Sequence, residues 1–377
     1  MEALISIKNF GQWAALVLSR QGLVLSTLFA ASFLSRLLPL LQYARVGFDP
    51  FFHYQFSMAL LEGKTSIAIV TKLNEHITLY YPPLFHLLSL FFFILLPSVD
   101  PYLIMKVIVT LVDSLQIFPI YYIVKDFSKS TAGAALAGFA AVVTPSDFHM
   151  ISWGGYANIA GLLLMAILVY LVVKDRPFSA AIASSMLFLT HHLSMLVAVA
   201  VFAPYFGALW LRTRRLPRCL ISFVASLGVA YAAFYWYTLL PLYEIYTRYA
   251  PRYAEFALPN NWPQMFGLPL LLTAVAGIAF WAYKTKARVN EYDWLLLIWL
   301  LMPLLLGYAY LLGVRWDTIR WLYFLQQPAC VWSGLAVGKI KNRRPFLIVI
   351  VVVFLLQWFV TMQGYYSSIL ANSGYNY

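Results

Sequence analysis

Long apolar runs separated by short polar breaks make up most of this chain. A helix needs about 20 apolar residues to cross the roughly 30 Å hydrocarbon core of a bilayer. Runs of that order fall near 21–42, 101–124, 132–149, 156–173, 178–190, 192–211, 217–240, 266–283, 293–312, 319–337 and 345–363. They predict an all-α, polytopic transmembrane helix bundle with about 11 spans. A further apolar run, Leu84 to Leu96, has 13 residues, and its length alone does not decide whether it crosses. Residues 1–20 mix Leu4, Ile5, Ile7, Phe10, Trp13 and Leu16 with Lys8, Gln12 and Arg20, which suits an amphipathic helix on the membrane surface rather than a cleavable signal.

Basic residues give the predicted orientation, because cytoplasmic loops carry an excess of Lys and Arg. If the 13-residue run stays outside, the clusters at Lys125 and Lys129, Lys174 and Arg176, Arg212 to Arg218, Lys284 to Arg288 and Lys339 to Arg344 all become cytoplasmic. With Lys8 and Arg20 they place 17 of the 26 basic residues inside. A crossing would turn every later cluster outward. The reading is a cytoplasmic amino terminus and one transmembrane module over residues 1–377. Its first outer loop, 43–100, carries short interfacial helices, and a second larger outer loop covers 241–264.

Composition agrees with a membrane protein: 62% of residues are apolar and only 11% charged, against roughly 25% charged in soluble domains. The net charge of +12 does not indicate a nucleic-acid binder, because the basic residues sit in short clusters between apolar runs. Cys219 and Cys330 form neither a disulfide framework nor a metal-ligand spacing. Most acidic residues, among them Asp49, Asp147, Glu244 and Glu255, fall in or beside the outer loops. Chemistry is therefore expected on the outer face.

The first loop opens Phe48-Asp49-Pro50-Phe51-Phe52-His53-Tyr54. Asp followed by Pro is a good helix start in its own right; the functional reading is a carboxylate held at the membrane surface, with His53 on the same side of the helix. This stretch resembles the first-loop aspartate motif of oligosaccharyltransferase catalytic subunits, members of the GT-C superfamily of polytopic glycosyltransferases. Phe118-Pro119-Ile120-Tyr121-Tyr122 before Lys125-Asp126 is similar to the inner end of that family's second span. Ser152-Trp153-Gly154-Gly155-Tyr156-Ala157-Asn158 stands where the family has Gly-Tyr and a metal-binding acidic pair, but here Asn158 and Ala160 occupy the acidic positions. Arg320-Trp321-Leu322-Tyr323-Phe324 with Pro328 resembles the span opening on the family's lipid-phosphate-binding arginine.

The resemblance implies a GT-C-like fold and an enzyme that transfers a sugar from a polyprenyl-phosphate-linked donor to a lipid, glycan or protein acceptor. Asp49 would be the catalytic carboxylate, and Arg320, then Arg315, would bind the donor phosphate. Arg320 has an alternative as an interfacial arginine snorkelling to headgroups. His53, Tyr156, Asn158, His191, His192 and Glu244 are candidate substrate-binding residues, with the choice between Glu244 and Glu255 left open. Without the acidic pair, at most a weak Mg²⁺ or Mn²⁺ site is expected, since these ions want carboxylate oxygens. The family's soluble acceptor-reading domain has no counterpart in these residues. Two alternatives stand beside this reading. One is a reduced oligosaccharyltransferase acting on asparagine. The other is a lipid or solute transporter, which Asp113 keeps open because an acid within a span is a functional signal by default.

Overall fold

The computed structural model describes residues 19–47, 49–70, 76–249, 262–285, 290–312, 318–338 and 343–373. Residues 1–18 of the amphipathic segment expected at 1–20, Arg315 in the turn at 313–317, and Arg252 and Glu255 in the second loop lie outside the described residues. The chain begins with α1 (Arg20–Leu41), opened by the Ser19 hydroxyl, which accepts from the Gly22 N–H at 3.0 Å. In the first loop, α2 (Asp49–Leu61) is followed by an antiparallel hairpin, β1 (Ser66–Val70) with β2 (His76–Tyr80), and then by α3 (Leu84–Leu95). The interfacial helices were expected; the hairpin was not, although Ile67, Ile69, Val70, Ile77 and Thr78 are β-branched residues that favour strands.

Next come α4 (Pro101–Leu115) and α5 (Ile117–Ser128), end to end across Gln116, then α6 (Thr131–Val143) and α7 (Pro145–Trp153). They lead to α8 (Tyr156–Val173), α9 (Pro177–Thr190) and α10 (His192–Thr213). Then α11 (Arg218–Ala230) passes through a π-helical turn at Tyr231–Tyr235 into α12 (Trp236–Tyr249). The last part holds α13 (Trp262–Phe266), α14 (Leu268–Thr285), α15 (Glu291–Gly307), α16 (Thr318–Leu322), α17 (Gln326–Gly338) and α18 (Arg343–Ser373).

Among the described residues, seven helices are long and apolar enough to cross a membrane, which corrects the expectation of about 11 spans. They are Arg20–Leu41, Pro101–Ser128, Thr131–Trp153, Tyr156–Val173, His192–Thr213, Arg218–Glu244 and Pro345–Ser373. The other four runs are short or broken, for local reasons. The 14 residues of α9 rise only about 21 Å at 1.5 Å each before His191 turns extended and caps α10. Gly267, with φ +80°, starts α14 afresh after α13, and its apolar stretch runs only over Leu268–Tyr283. After Gly307, α15 gives way to a 3₁₀ turn at Ala309–Leu312. The fourth run is split by the 3₁₀ turn Tyr323–Leu325, just before the buried Gln326 and Gln327.

Helix α17 packs on both α6 and α14. There a Cβ on Gly133 would lie 2.5 Å from the Gly334 carbonyl oxygen, so two backbones meet where only small residues fit. Helix directions then separate two ends. One gathers Lys125, Lys129, Lys174, Arg176 and Arg212 to Arg218, with Cys219 Sγ 3.7 Å from Asp175. The other gathers the carboxyl ends of α1, α7 and α18 with the start of α2; there the Gly47 N–H donates to the Asn372 carbonyl at 3.3 Å.

Candidate functional site

The corner between α7 and α8 is where the sequence candidates meet. Helix α7 ends at Gly154 in a left-handed conformation, φ +100°, and a Cβ there would fall 2.2 Å from Pro50 Cδ and 3.0 Å from Asp49 Cβ. A side chain at 154 would therefore displace the start of α2, and with it Asp49. Gly47 makes the reciprocal approach: a Cβ there would fall 2.5 Å from the Trp153 carbonyl carbon. At the same corner, the Arg320 guanidinium lies 4.9 Å from the centre of the Trp153 ring. Asp49 is thus placed against Gly154 and Arg320 against the ring of the neighbouring Trp153, from distant parts of the sequence.

His53 stacks on Tyr156 at 5.6 Å, and its Nε2 stands 3.0 Å from the Gly154 carbonyl. Its Nδ1 stands 3.0 Å from His86 Nε2, and His86 Nδ1 stands 3.3 Å from the Pro82 carbonyl. Both ends of this chain are acceptors. Two neutral rings carry two N–H groups for three contacts. His53 Nε2–H then donates to Gly154 and His86 Nε2–H to His53, leaving the longest contact, at Pro82, without a proton. Burial, and less strongly Arg320, push His53 down to about 4 despite the Gly154 contact. His86 is held well below the usual histidine range, by burial first and His53 second.

Folding therefore favours the neutral pair. Its contribution is complete above the unfolded value of about 6.5 and is lost as the pH falls through the folded value. The melting midpoint of the purified protein is expected to drop between about pH 6.5 and 4, and a His53→Gln/His86→Gln variant to show a flatter profile. Equal slopes for the two proteins would refute the neutral pair.

Tyr81 joins this group to the α9–α10 break, its ring 5.2 Å from His192 and 5.9 Å from His191. His191 Nδ1 accepts from the Ser194 N–H at 3.4 Å, and its buried Nε2 has no hydrogen-bond partner among the described residues. Burial holds His191 well below the ordinary range, with His192 and Arg320 adding to the effect. Asn158 does not join the site: it is 2% exposed and gives its amide to Met150 Sδ at 3.2 Å. Glu244 is exposed on α12, next to Leu242 and Tyr243 of an apolar groove that begins at His192. Among the described residues, no three His, Cys, Asp or Glu side chains gather as metal ligands.

Deeper in the bundle, Arg36 of α1 is 1% exposed and lies over the Phe148 ring at 4.3 Å. Its guanidinium pairs with Asp113, stands 3.6 Å from Asp147, and donates to the Ala141 and Val142 carbonyls at 3.1 Å. Gln116 donates to Asp113 at 2.8 Å, Gln327 to Gln116 at 2.6 Å, and Gln326 to Asp147. Sequence reasoning singled out Asp113 but missed Arg36, whose place within an apolar run was the signal. It also missed His86, one imidazole in the apolar run of α3.

No family model matches the chain, and no curated protein does. Solved structures do. The oligosaccharyltransferase of Archaeoglobus fulgidus in its apo form superposes with a TM-score of 0.57 at 15% identity, over 92% of this chain and 56% of that one. The same organism's AglB in complex with an inhibitory peptide and a dolichol-phosphate gives 0.54 at 13% identity, over 93% and 56%. A complex of the A. fulgidus enzyme with Zn and sulfate gives 0.54 at 18% identity, over 93% and 53%. The chain thus spans a little over half the length of these proteins. What is shared is the fold of a little over half of these oligosaccharyltransferase chains.

Proposed function

We propose that this chain is an integral membrane glycosyltransferase that moves a sugar from a polyprenyl-phosphate-linked donor to a lipid, glycan or protein acceptor. The observation that carries this reading is the convergence of Asp49 and Arg320 on the Trp153–Gly154 turn. The dolichol-phosphate held by the structurally similar AglB supports a polyprenyl phosphate as the donor's lipid. Asp49 orients the acceptor's nucleophile and takes its proton as the new bond forms at the anomeric carbon. The bond from that carbon to the phosphate oxygen breaks with inversion, and polyprenyl phosphate leaves. Arg320 stabilises the leaving phosphate, a role suited to its two parallel charged donors. The groove of about 540 Å³ lined by His192, Leu193, Leu196, Tyr235, Trp236 and Leu240 suits the isoprenoid tail. The pairing of Asp113 with Arg36 gives that acid a structural role and weakens the transporter alternative.

Arg320→Ala is expected to weaken binding of a polyprenyl phosphate by roughly 1.5 to 3 kcal/mol, the range for a charged hydrogen bond. Arg320→Lys should recover only part, because a point charge lacks the bidentate fork. Unchanged binding, read by titration in detergent, would refute the phosphate role.

The same reading puts the catalytic end outside and the basic end, with the amino terminus, in the cytoplasm. Cys219 and Cys330 are buried, so single cysteines introduced at exposed positions report sidedness. Lys129→Cys should be protected from an impermeant outer reagent and Ser98→Cys should be labelled. The opposite pattern would invert the topology.

A further inference from the structure

The short helix that carries Arg320 cannot set its own position. It has five residues, fewer than an isolated helix needs to hold together. It packs against α15, while the side-chain contacts of Arg320 and of the residues just after this helix run along α7 in antiparallel order. Ser146 and Asp147 meet Gln326: the serine hydroxyl donates to the glutamine oxygen, and the glutamine amide donates to the carboxylate. Three residues further along α7 and three back from Gln326, His149 Nδ1 lies 2.6 Å from the Tyr323 hydroxyl. One more step brings Trp153 under Arg320 at 4.9 Å. Below Gln326 the sequence continues with Thr144 Oγ1 3.8 Å from Cys330 Sγ and Gly133 against Gly334. Gln326 is 2% exposed and Tyr323 1%.

We propose that Tyr323 and Gln326 are positioning residues for Arg320, and that the rungs Asp147–Gln326 and His149–Tyr323 fix the height at which the guanidinium meets the donor phosphate. The inference rests on the phosphate-binding reading of Arg320. Apolar side chains would hold the two segments together at several heights, whereas each hydrogen bond is satisfied at one. A slip of one helical turn moves a side chain about 5.4 Å, and a misplacement of about 1 Å already costs on the order of 10²-fold in rate. Because α7 also ends at Gly154 against Asp49 and Pro50, the same helix is the common reference for the carboxylate and the guanidinium.

The test is the affinity for geranylgeranyl phosphate of the full chain in detergent, measured for wild type, Tyr323→Phe, Gln326→Met, Arg320→Ala and the double variants. Tyr323→Phe and Gln326→Met, which keep volume and remove one hydrogen-bonding group, should each weaken binding about three- to tenfold, and Arg320→Ala about ten- to hundredfold. Combined with Arg320→Ala, neither should weaken it further, because there is no guanidinium left to place. Ser368→Ala removes another hydrogen bond from α7, that of Ser152 at 2.7 Å, and should leave affinity unchanged. If Arg320→Ala binds normally, the phosphate reading and this inference both fall. If Arg320→Ala weakens binding while the two positioning variants bind normally, or add their full effect to it, the inference alone is overturned.

Discussion

Asp49→Asn is expected to lower turnover by about 10² to 10⁴, the loss typical of a removed general base, with donor affinity within a few fold of wild type. Asn keeps the size of the side chain and is as good as Asp at a helix start, so α2 should stay seated on Gly154. What is lost is the anionic oxygen that orients the nucleophile and takes its proton. Donor binding depends on Arg320 across the turn and should be spared, giving a lower kcat at nearly constant donor Kd. Steady-state rates and direct binding on the same preparation separate the two. Normal turnover would reduce Asp49 to the first residue of a helix that Asp and Pro begin well by themselves.

Arg36→Met is expected to destabilise the protein by about 3 to 5 kcal/mol, the cost of breaking a buried ion pair from one side. The guanidinium answers Asp113 and Asp147 together and two backbone carbonyls of α6, all away from water. Without it, the two acids are left inside a membrane span beside amides that satisfy only part of them. Arg36→Met/Asp113→Leu should recover only part of the loss, since it removes one of the two buried acids and leaves Asp147 with the Gln326 amide. Thermal midpoints in one detergent check both. An Arg36→Met protein as stable as wild type would show that the cluster does not hold α1, α4 and α6 together.

Seven spans were legible because the length of an apolar run maps directly onto the thickness it must cross. The other four runs looked the same to that measure. One break has partners distant in sequence: the run at 319–337 is split at Tyr323–Leu325, just before Gln326 and Gln327, which bond Asp147, Ser146 and Gln116. The site divides in the same way. Asp49, His53, Tyr156 and Arg320 stood in short motifs and converge in the fold. Asn158 stood in a motif too, yet its side chain turns to Met150. His86 reads in sequence as a core histidine until His53 is brought to 3.0 Å from it. Arg36 and Asp113 are each conspicuous in an apolar run; that they answer one another follows only from the packing of α1 against α4.

The most direct test of sugar transfer is a turnover measurement on reconstituted protein. Polyprenyl-phosphate-linked sugars are supplied with a membrane-lipid acceptor extract, and release of free polyprenyl phosphate is followed for wild type and Asp49→Asn. Wild type is predicted to release the lipid phosphate as the sugar appears on an acceptor, with Asp49→Asn binding the same donor and releasing it at least about 10²-fold more slowly. Wild type that binds these donors yet releases no more polyprenyl phosphate than Asp49→Asn would contradict the glycosyltransferase account.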